Sequence, residues 1–291
     1  MNVVGFSFIK NAIRYDFPAV ESIKSVLPLC HKFYIAVGKS EDDTLALIRS
    51  IDKDKIVIIE TEWDETLREG GQVLAVETNK ALRAIPKNTD WAIYIQGDEV
   101  FHEKDHTVIR SAMKAYQNNP KIEGLLFHYL HFYGSYNYVA DSDVWYPKEI
   151  RIIKYNPEVY SYKDAQGFRK GDNQKLRVAQ IDATVYHYGY VKPPKILQEK
   201  FKNSSKFYHD DAWIEQTFPG ETFDFLEHVS ELKRFQSAHP QIIQPRIDRL
   251  NWEFDYDISM NNPSFKKRFK HFLRKYLGID LGYKNYILVK K

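Results

Sequence analysis

Apolar residues come in two rhythms along this chain. Val3 to Ile9, Phe33 to Val37, Ile56 to Ile59 and Trp91 to Ile95 are short, nearly continuous apolar runs. Runs of that length read as strands covered on both faces, the habit of a parallel sheet. Between them the apolar positions recur at helical spacing: Val20, Ile23 and Leu27; then Leu45, Ile48 and Ile51; then Leu74, Thr78, Ala81, Leu82 and Ile85. Pro18 suits the first turn of the first helix, and Pro86 closes the third. The order is β-α-β-α-β-α-β, with connections long enough for right-handed crossovers.

Beyond Trp91 to Val100 the pattern changes. His106 to Asn118 predicts a helix, Gly124 to Phe132 an aromatic-rich strand, and Glu149 to Lys154 another strand. Tyr160 to Arg169 reads as an irregular loop. Val178 to Tyr186 predicts a strand that ends in a His187-Tyr188-Gly189-Tyr190 turn. Pro193-Pro194 precedes a helix over Ile196 to Tyr208, and Pro219-Gly220 marks a boundary. Residues 1–220 thus form one α/β domain, and 221–291 a mostly helical extension. In that extension Phe265, Phe269, Phe272, Leu273, Tyr276 and Leu277 form one helical stripe among Lys266, Lys267, Arg268, Lys270, Arg274 and Lys275. Such a helix either docks its stripe on the domain or lies on an anionic membrane surface.

The polar clusters align with the strand ends. Asn11 and Arg14, Ser40 to Asp43, Glu60 to Arg68 with Trp63, and Asp98 with Glu99 each follow a strand. In an open α/β sheet that edge is where ligands bind. Gly97 lets a ligand approach the backbone, and a carboxylate beside it is a hard oxygen donor suited to Mg²⁺ or Mn²⁺ carrying a phosphate. The same residues also read as a solvated acidic turn. No G-x-G-x-x-G or G-x-x-x-x-G-K-[ST] opens any helix, which disfavours a dinucleotide fold or a P-loop.

Composition narrows this further. The chain has 291 residues, enough for one large α/β domain or two small ones, with 20 Tyr and 18 Phe that suit a cleft for flat rings as well as a core. Its single cysteine, Cys30, excludes an internal disulfide framework and fits a reducing, cytoplasmic setting. Cys30 reads as a packing residue. No apolar run reaches the roughly 20 residues of a membrane span, so any membrane association would be peripheral, on the inner face. The net charge of +3 owes its sign to the C-terminal basic patch, so no general nucleic-acid-binding surface is expected.

Taken in order, strand one, Ser40-x-Asp42-x-Thr44, Thr78-Asn79-x-Ala81-Leu82 and the apolar strand ending in Asp98-Glu99 resemble a family 2 glycosyltransferase of the GT-A fold. The resemblance covers about the first 100 residues well. From there to His187 it rests on the strand from Trp145 to Arg151 and the His-Tyr-Gly segment. It implies an inverting transferase that moves a sugar from a nucleoside-diphosphate sugar to a glycan or lipid-linked hydroxyl, in cell-surface polysaccharide synthesis. It also implies a divalent cation, Mn²⁺ or Mg²⁺. The family's Asp-x-Asp motif corresponds here to Gln96-Gly97-Asp98. The first carboxylate is therefore missing, Asp98 becomes the metal ligand, and Gln96 is left to bond ribose or a metal-bound water. The acidic pair that usually follows strand two is replaced by Val37 and Gly38, whereas Ser40 and Asp42 match and are expected near the nucleoside.

The resemblance assigns His187 as the second metal ligand and Asp164, in Lys163-Asp164-Ala165-Gln166-Gly167, as the base; Glu99 and Glu103 are alternatives. Arg14, Arg68 and Arg151 are candidates for diphosphate or sheet-edge contacts, with Asn11 beside them. Trp145, Tyr146, Tyr133 and Trp63 are candidates for stacking on sugar faces, and also for core packing. Two other readings stay open. A non-catalytic nucleotide- or carbohydrate-binding module is compatible with the missing acid. A sugar nucleotidyltransferase uses a similar sheet but wants a Gly-rich basic loop after strand one, and Phe8 to Asp16 lacks the glycines.

Overall fold

A computed structural model describes residues 1–142, 144–229, 231–261, 270, 276 and 283–290. The chain opens with β1 (Val3–Ile9), α1 (Ala19–Val26), β2 (Lys32–Gly38), α2 (Thr44–Arg49), β3 (Ile56–Thr61), α3 (Gln72–Ala84) and β4 (Trp91–Tyr94). These are the elements the periodicity predicts. β5 (Glu99–Phe101), α4 (His106–Tyr116), β6 (Gly124–Tyr133), β7 (Tyr138–Ala140) and β8 (Lys148–Lys154) follow. Then come β9 (Val159–Tyr162), β10 (Gly167–Lys170), β11 (Gln174–Lys175), β12 (Arg177–Tyr190), α5 (Pro194–Ser205), α6 (Asp211–Thr217), β13 (Leu232–Arg234), α7 (Gln244–Asp248) and β14 (Ile287–Leu288).

One mixed, mostly parallel sheet organises the molecule, in the order β13-β7-β6-β8-β4-β1-β2-β3, with β12 beside β6 and carrying β5 and β14. β1 runs parallel to both β2 and β4, and β2 to β3. Their carboxyl ends therefore emerge on one edge. Gly5 sits mid-strand because the Phe33 ring covers it: a Cβ there would lie 2.3 Å from that ring. One face of the sheet buries Ile93, Phe127 and Ile152 under Ile23 and Val26 of α1, Ile48 of α2, and Ile109 and Met113 of α4. The other buries Phe6, Tyr94 and Ile153 under Ala81 and Leu82 of α3 and Phe168 of β10. Each such Ile or Phe contributes about 1.5–3 kcal/mol on burial. Cys30 belongs to the first cluster, and burial pushes its thiol up to about 12, as befits a packing residue.

Three expectations need correction. Residues 160–169 are not an irregular loop but a hairpin, β9 antiparallel to β10. Its turn holds Lys163 and Ala165 at φ 54° and 61°. What orders it is distant in sequence: the Asn79 amide of α3 accepts from Ser161 N at 2.7 Å and donates to Ser161 O at 3.1 Å. His187-Tyr188-Gly189 is not a turn either. β12 continues through it, with a register shift against β6 between His187 and Tyr190, because β5 pairs with Val185, Tyr186 and His187, and Tyr188 N donates to Asp98 O at 2.8 Å. Finally, among the described residues of 221–261 the helices are single turns and the five-residue α7, and β13 joins the main sheet through β7. The stripe over Phe265 to Leu277, apart from Lys270 and Tyr276, lies outside the described residues. Among those residues no helix is long and apolar enough to cross a membrane.

Candidate functional site

A cavity of about 380 Å³ opens at the carboxyl ends of β1 and β4. Ile9, Lys10 and Asn11 reach it from β1, and Gln96, Gly97 and Asp98 from β4. Asp164 comes from the β9–β10 turn, and His187 and Tyr190 from β12. α5 and the residues after it roof the cavity with Lys200, Phe201, Ser204, Phe207 and Tyr208. A Cβ on Gly97 would lie 2.6 Å from Ile9 Cδ1, the flexible end of that side chain. Seven predicted residues, Asn11, Trp63, Gln96, Gly97, Asp98, Asp164 and His187, thus share one space.

Asp98 is its electrostatic centre. The carboxyl is largely buried, with Oδ2 3.6 Å from His187 Nε2 and 3.3 Å from Lys200 Nζ. Burial alone would raise its pKa. The Lys200 ammonium, the His187 ring and Lys192 outweigh burial and hold the carboxyl well below the usual range. His187 is set by a relay behind it. His131 Nε2 faces Tyr146 O at 2.8 Å, and His131 Nδ1 faces His187 Nδ1 at 3.1 Å. Burial, with His187 adding to it, pushes His131 down to about 3, so its ring is neutral at ordinary pH. The proton that His131 gives to Tyr146 O leaves its Nδ1 as an acceptor. His187 must then donate from Nδ1 and turn Nε2 toward Asp98. A cation between that nitrogen and the carboxylate, or a proton on the nitrogen, satisfies both.

The Gly189 backbone completes the pair: a Cβ there would lie 2.6 Å from His187 Nε2 and 2.8 Å from Asp98 Oδ2. The pair therefore flanks a small gap bounded by one carboxylate oxygen and one imidazole nitrogen. One carboxylate oxygen and one imidazole nitrogen are donors a divalent cation accepts, with His131 fixing the tautomer, but the Lys200 ammonium already stands 3.3 Å from the same carboxylate oxygen. Among the described residues no group of three His, Cys, Asp or Glu side chains is arranged to hold a metal.

Asp164 faces the same space. Burial raises its carboxyl above the ordinary value against the pull of Lys163, Arg151 and two backbone N–H groups. Gly71, at φ 68°, admits it: a Cβ there would lie 2.8 Å from Asp164 Cβ and 2.6 Å from Tyr208 Oη. Trp63 forms the aromatic wall, with ring centroids 5.8 Å from Phe8 and 5.7 Å from Phe207. It presses on Gly38, where a Cβ would lie 2.4 Å from the indole nitrogen. Where the resemblance leads one to expect an acid, this chain needs a glycine to seat a tryptophan.

The remaining predicted residues support the site without lining the cavity. Ser40 accepts from Asn11 N at 3.0 Å and Asn11 Oδ1 accepts from Glu41 N at 2.8 Å, lashing the first two strand-end loops together. Asp42 accepts from Arg14 N at 2.7 Å and from Thr44 N at 3.0 Å, opening α2. Arg14 pairs with Glu41 and Glu199. Arg68 donates to Lys206 O, His209 O and, at 2.6 Å, Asp211. These two arginines fasten the roof at its two ends. Arg151 is fully buried, bound to Glu99 through Nε at 2.8 Å and Nη2 at 2.7 Å. Glu99 is thereby engaged as a structural partner, and Glu103 accepts from Gln241 N at 3.1 Å. Gln96 donates from Nε2 to Tyr94 Oη at 3.2 Å and Ala165 O at 3.4 Å. Trp145 and Tyr146 pack on His131, at 5.0 and 4.6 Å between centroids, and Tyr133 on Tyr190 at 5.6 Å; these rings form the wall behind the histidine relay.

Sequence reasoning missed Lys200, Tyr190, Phe207 and Tyr208. A legible signal existed for Lys200. It falls three residues after Leu197 and one before Phe201, so it places a charge beside the apolar stripe of its own helix.

No protein-family model matches this chain, and no curated protein matches it. Membership of family 2 accordingly stays a resemblance. Comparison with solved structures finds distant likenesses. S. aureus TarS 1–349 in complex with UDP is 12% identical, over 75% of this chain and 70% of that one, with a TM-score of 0.38. A 4-diphosphocytidyl-2C-methyl-D-erythritol synthase from Anaerococcus prevotii is 11% identical over 75% and 82%, with a TM-score of 0.32. Glucosyl-3-phosphoglycerate synthase from Mycobacterium tuberculosis, in complex with Mg²⁺ and UDP, is 16% identical over 45% and 43%, with a TM-score of 0.27. Likenesses this distant carry no residue roles or substrates across.

Proposed function

We propose that this chain is an inverting glycosyltransferase that takes its sugar from a nucleoside-diphosphate sugar and gives it to a hydroxyl of a glycan or lipid-linked acceptor. The observation that supports this best is the meeting of Asp98, His187 and Lys200 with Asp164 around one cavity. Its volume lies within the range of small-ligand pockets. The chemistry needs positive charge at a departing diphosphate and a carboxylate base at the acceptor. Asp164, with its raised pKa, takes the proton of the attacking hydroxyl. That oxygen bonds the anomeric carbon as the bond from carbon to the diphosphate oxygen breaks, and one displacement inverts the centre. That positive charge belongs to whichever cation Asp98 holds: a divalent ion with His187 as its second ligand would supply Lewis-acid charge, and the Lys200 ammonium stands 3.3 Å from the same oxygen. Trp63 and Phe8 offer a flat wall for the nucleobase.

The missing first acid favours a second reading, a module that binds nucleotide without turnover. Hydrolysis of UDP- and GDP-sugars separates the two, since a transferase leaks some hydrolysis and a module gives none. Asp164→Asn should keep nucleoside-diphosphate affinity within about threefold and lower turnover by roughly 10²–10⁴. Unchanged turnover in that variant would remove Asp164 from the mechanism.

A further inference from the structure

The carboxylate assigned to a metal already holds a cation. Lys200 Nζ donates to Asp98 Oδ2 at 3.3 Å and to Gly189 O at 2.9 Å, and its side chain is 15% exposed. Its ammonium lies 5.1 Å from the Phe17 ring centroid, which disperses its charge further. Lys200 sits on α5, and α5 is clamped to the sheet edge through Glu199 by Arg14. The loop after α5 is clamped by Arg68. The ammonium is thus delivered to Asp98 by the fold, not recruited from solution.

We propose that Lys200 occupies on Asp98 the place a divalent ion would otherwise take, and that its ammonium is the cation that receives the leaving diphosphate. The two cations compete for Asp98 Oδ2. A metal ligated by Asp98 Oδ2 would lie about 2.1 Å from that oxygen, and the ammonium lies 3.3 Å from the same atom. Two positive charges on one oxygen would then stand at most about 5.4 Å apart, the sum of those distances, in a largely buried site where like charges repel. The sequence change at the motif agrees. With Gln96 where a second carboxylate would stand, the motif carries a single negative charge, which one ammonium neutralises. An ammonium has three donors. Asp98 and Gly189 take two, leaving one for a phosphate oxygen, and Lys200 lines the cavity where that oxygen would lie. The role at the diphosphate rests on the donor reading proposed above; the competition of Lys200 with metal does not.

The test has two arms, both on the full chain. In the first, Mn²⁺ alone is titrated and the free ion is followed by electron paramagnetic resonance. Lys200→Met should bind one Mn²⁺ at least tenfold more tightly than the parent. Lys200→Arg, which keeps the charge, should not gain, and Lys200→Met with Asp98→Asn should lose the gain. Equal Mn²⁺ affinity in the parent and Lys200→Met would overturn the proposal, as would a gain in Lys200→Arg as large as that in Lys200→Met. In the second arm, UDP, GDP, CDP and ADP are titrated by calorimetry. The parent should bind one of them equally in EDTA and in Mn²⁺. Lys200→Met should bind it at least tenfold more weakly in EDTA and recover in Mn²⁺. EDTA abolishing binding to the parent would overturn the diphosphate role. If no nucleoside diphosphate binds under either condition, the donor reading itself fails, while the Mn²⁺ arm still decides the place of Lys200.

Discussion

Replacing Arg151 tests whether the interior beneath the site is built as described. The guanidinium makes two bonds to Glu99 at 2.7 and 2.8 Å, and two more to the carbonyls of Ile150 and Gln166 at 2.9 and 2.8 Å. Glu99 in turn accepts from Tyr129 Oη at 2.7 Å and from Gln96 N at 3.1 Å. One buried ion pair therefore fixes both the Gln96-Gly97-Asp98 turn and the loop that carries Asp164. Arg151→Met nearly conserves length and leaves the Glu99 carboxylate buried without its charge partner. Loss of one member of such a pair costs about 3–5 kcal/mol. Guanidinium unfolding at pH 7 should show that loss as a lowered midpoint with an unchanged slope. Restoring neutrality in the double variant Glu99→Gln with Arg151→Met should recover at least 2 kcal/mol, roughly half the loss expected from breaking a buried pair. A midpoint within about 1 kcal/mol of the parent, combined with lost ligand binding, would refute the strut and make Arg151 a ligand contact after all.

Two further substitutions probe separate parts of the structure. Gly189→Ala introduces a methyl 2.6 Å from His187 Nε2 and 2.8 Å from Asp98 Oδ2. Overpacking of this kind costs about 1–3 kcal/mol, and calorimetry should show nucleoside-diphosphate affinity falling at least tenfold; an unchanged affinity would mean the ligand binds elsewhere. Glu149 is buried, and desolvation raises its pKa to about 7 despite Arg151 and the bond from Ile150 N. A carboxyl that holds its proton more tightly folded than unfolded makes stability fall as pH rises from about 4.5 to about 7. Glu149→Gln should accordingly gain on the parent across that window, by up to roughly 3 kcal/mol at pH 8 relative to pH 4. Melts at the two pH values with a constant difference between the proteins would exclude this ionisation.

Much of the architecture was written locally. The strand runs at Val3, Phe33, Ile56 and Trp91, and the helical stripes between them, record burial on two faces or on one. A parallel sheet then obliges the loops at Asn11, Ser40, Trp63 and Asp98 to share an edge. From that edge, together with the resemblance, Asp98, Asp164 and His187 were placed around one cavity. Periodicity could not show the hairpin at Val159–Lys170 or the continuation of β12 through Gly189, because Asn79 and β5 supply the partners that order them.

The fate of the charged residues was decided by the tertiary structure. Arg14, Arg68 and Arg151 were indistinguishable as candidates in the sequence. Folding gave two of them to the roof of the cavity and one to Glu99. Lys200 reached Asp98 from a helix 102 positions away. The reason is physical: an apolar side chain announces its burial through its neighbours' spacing, whereas a long charged side chain takes its role from whichever opposite charge the fold brings within reach.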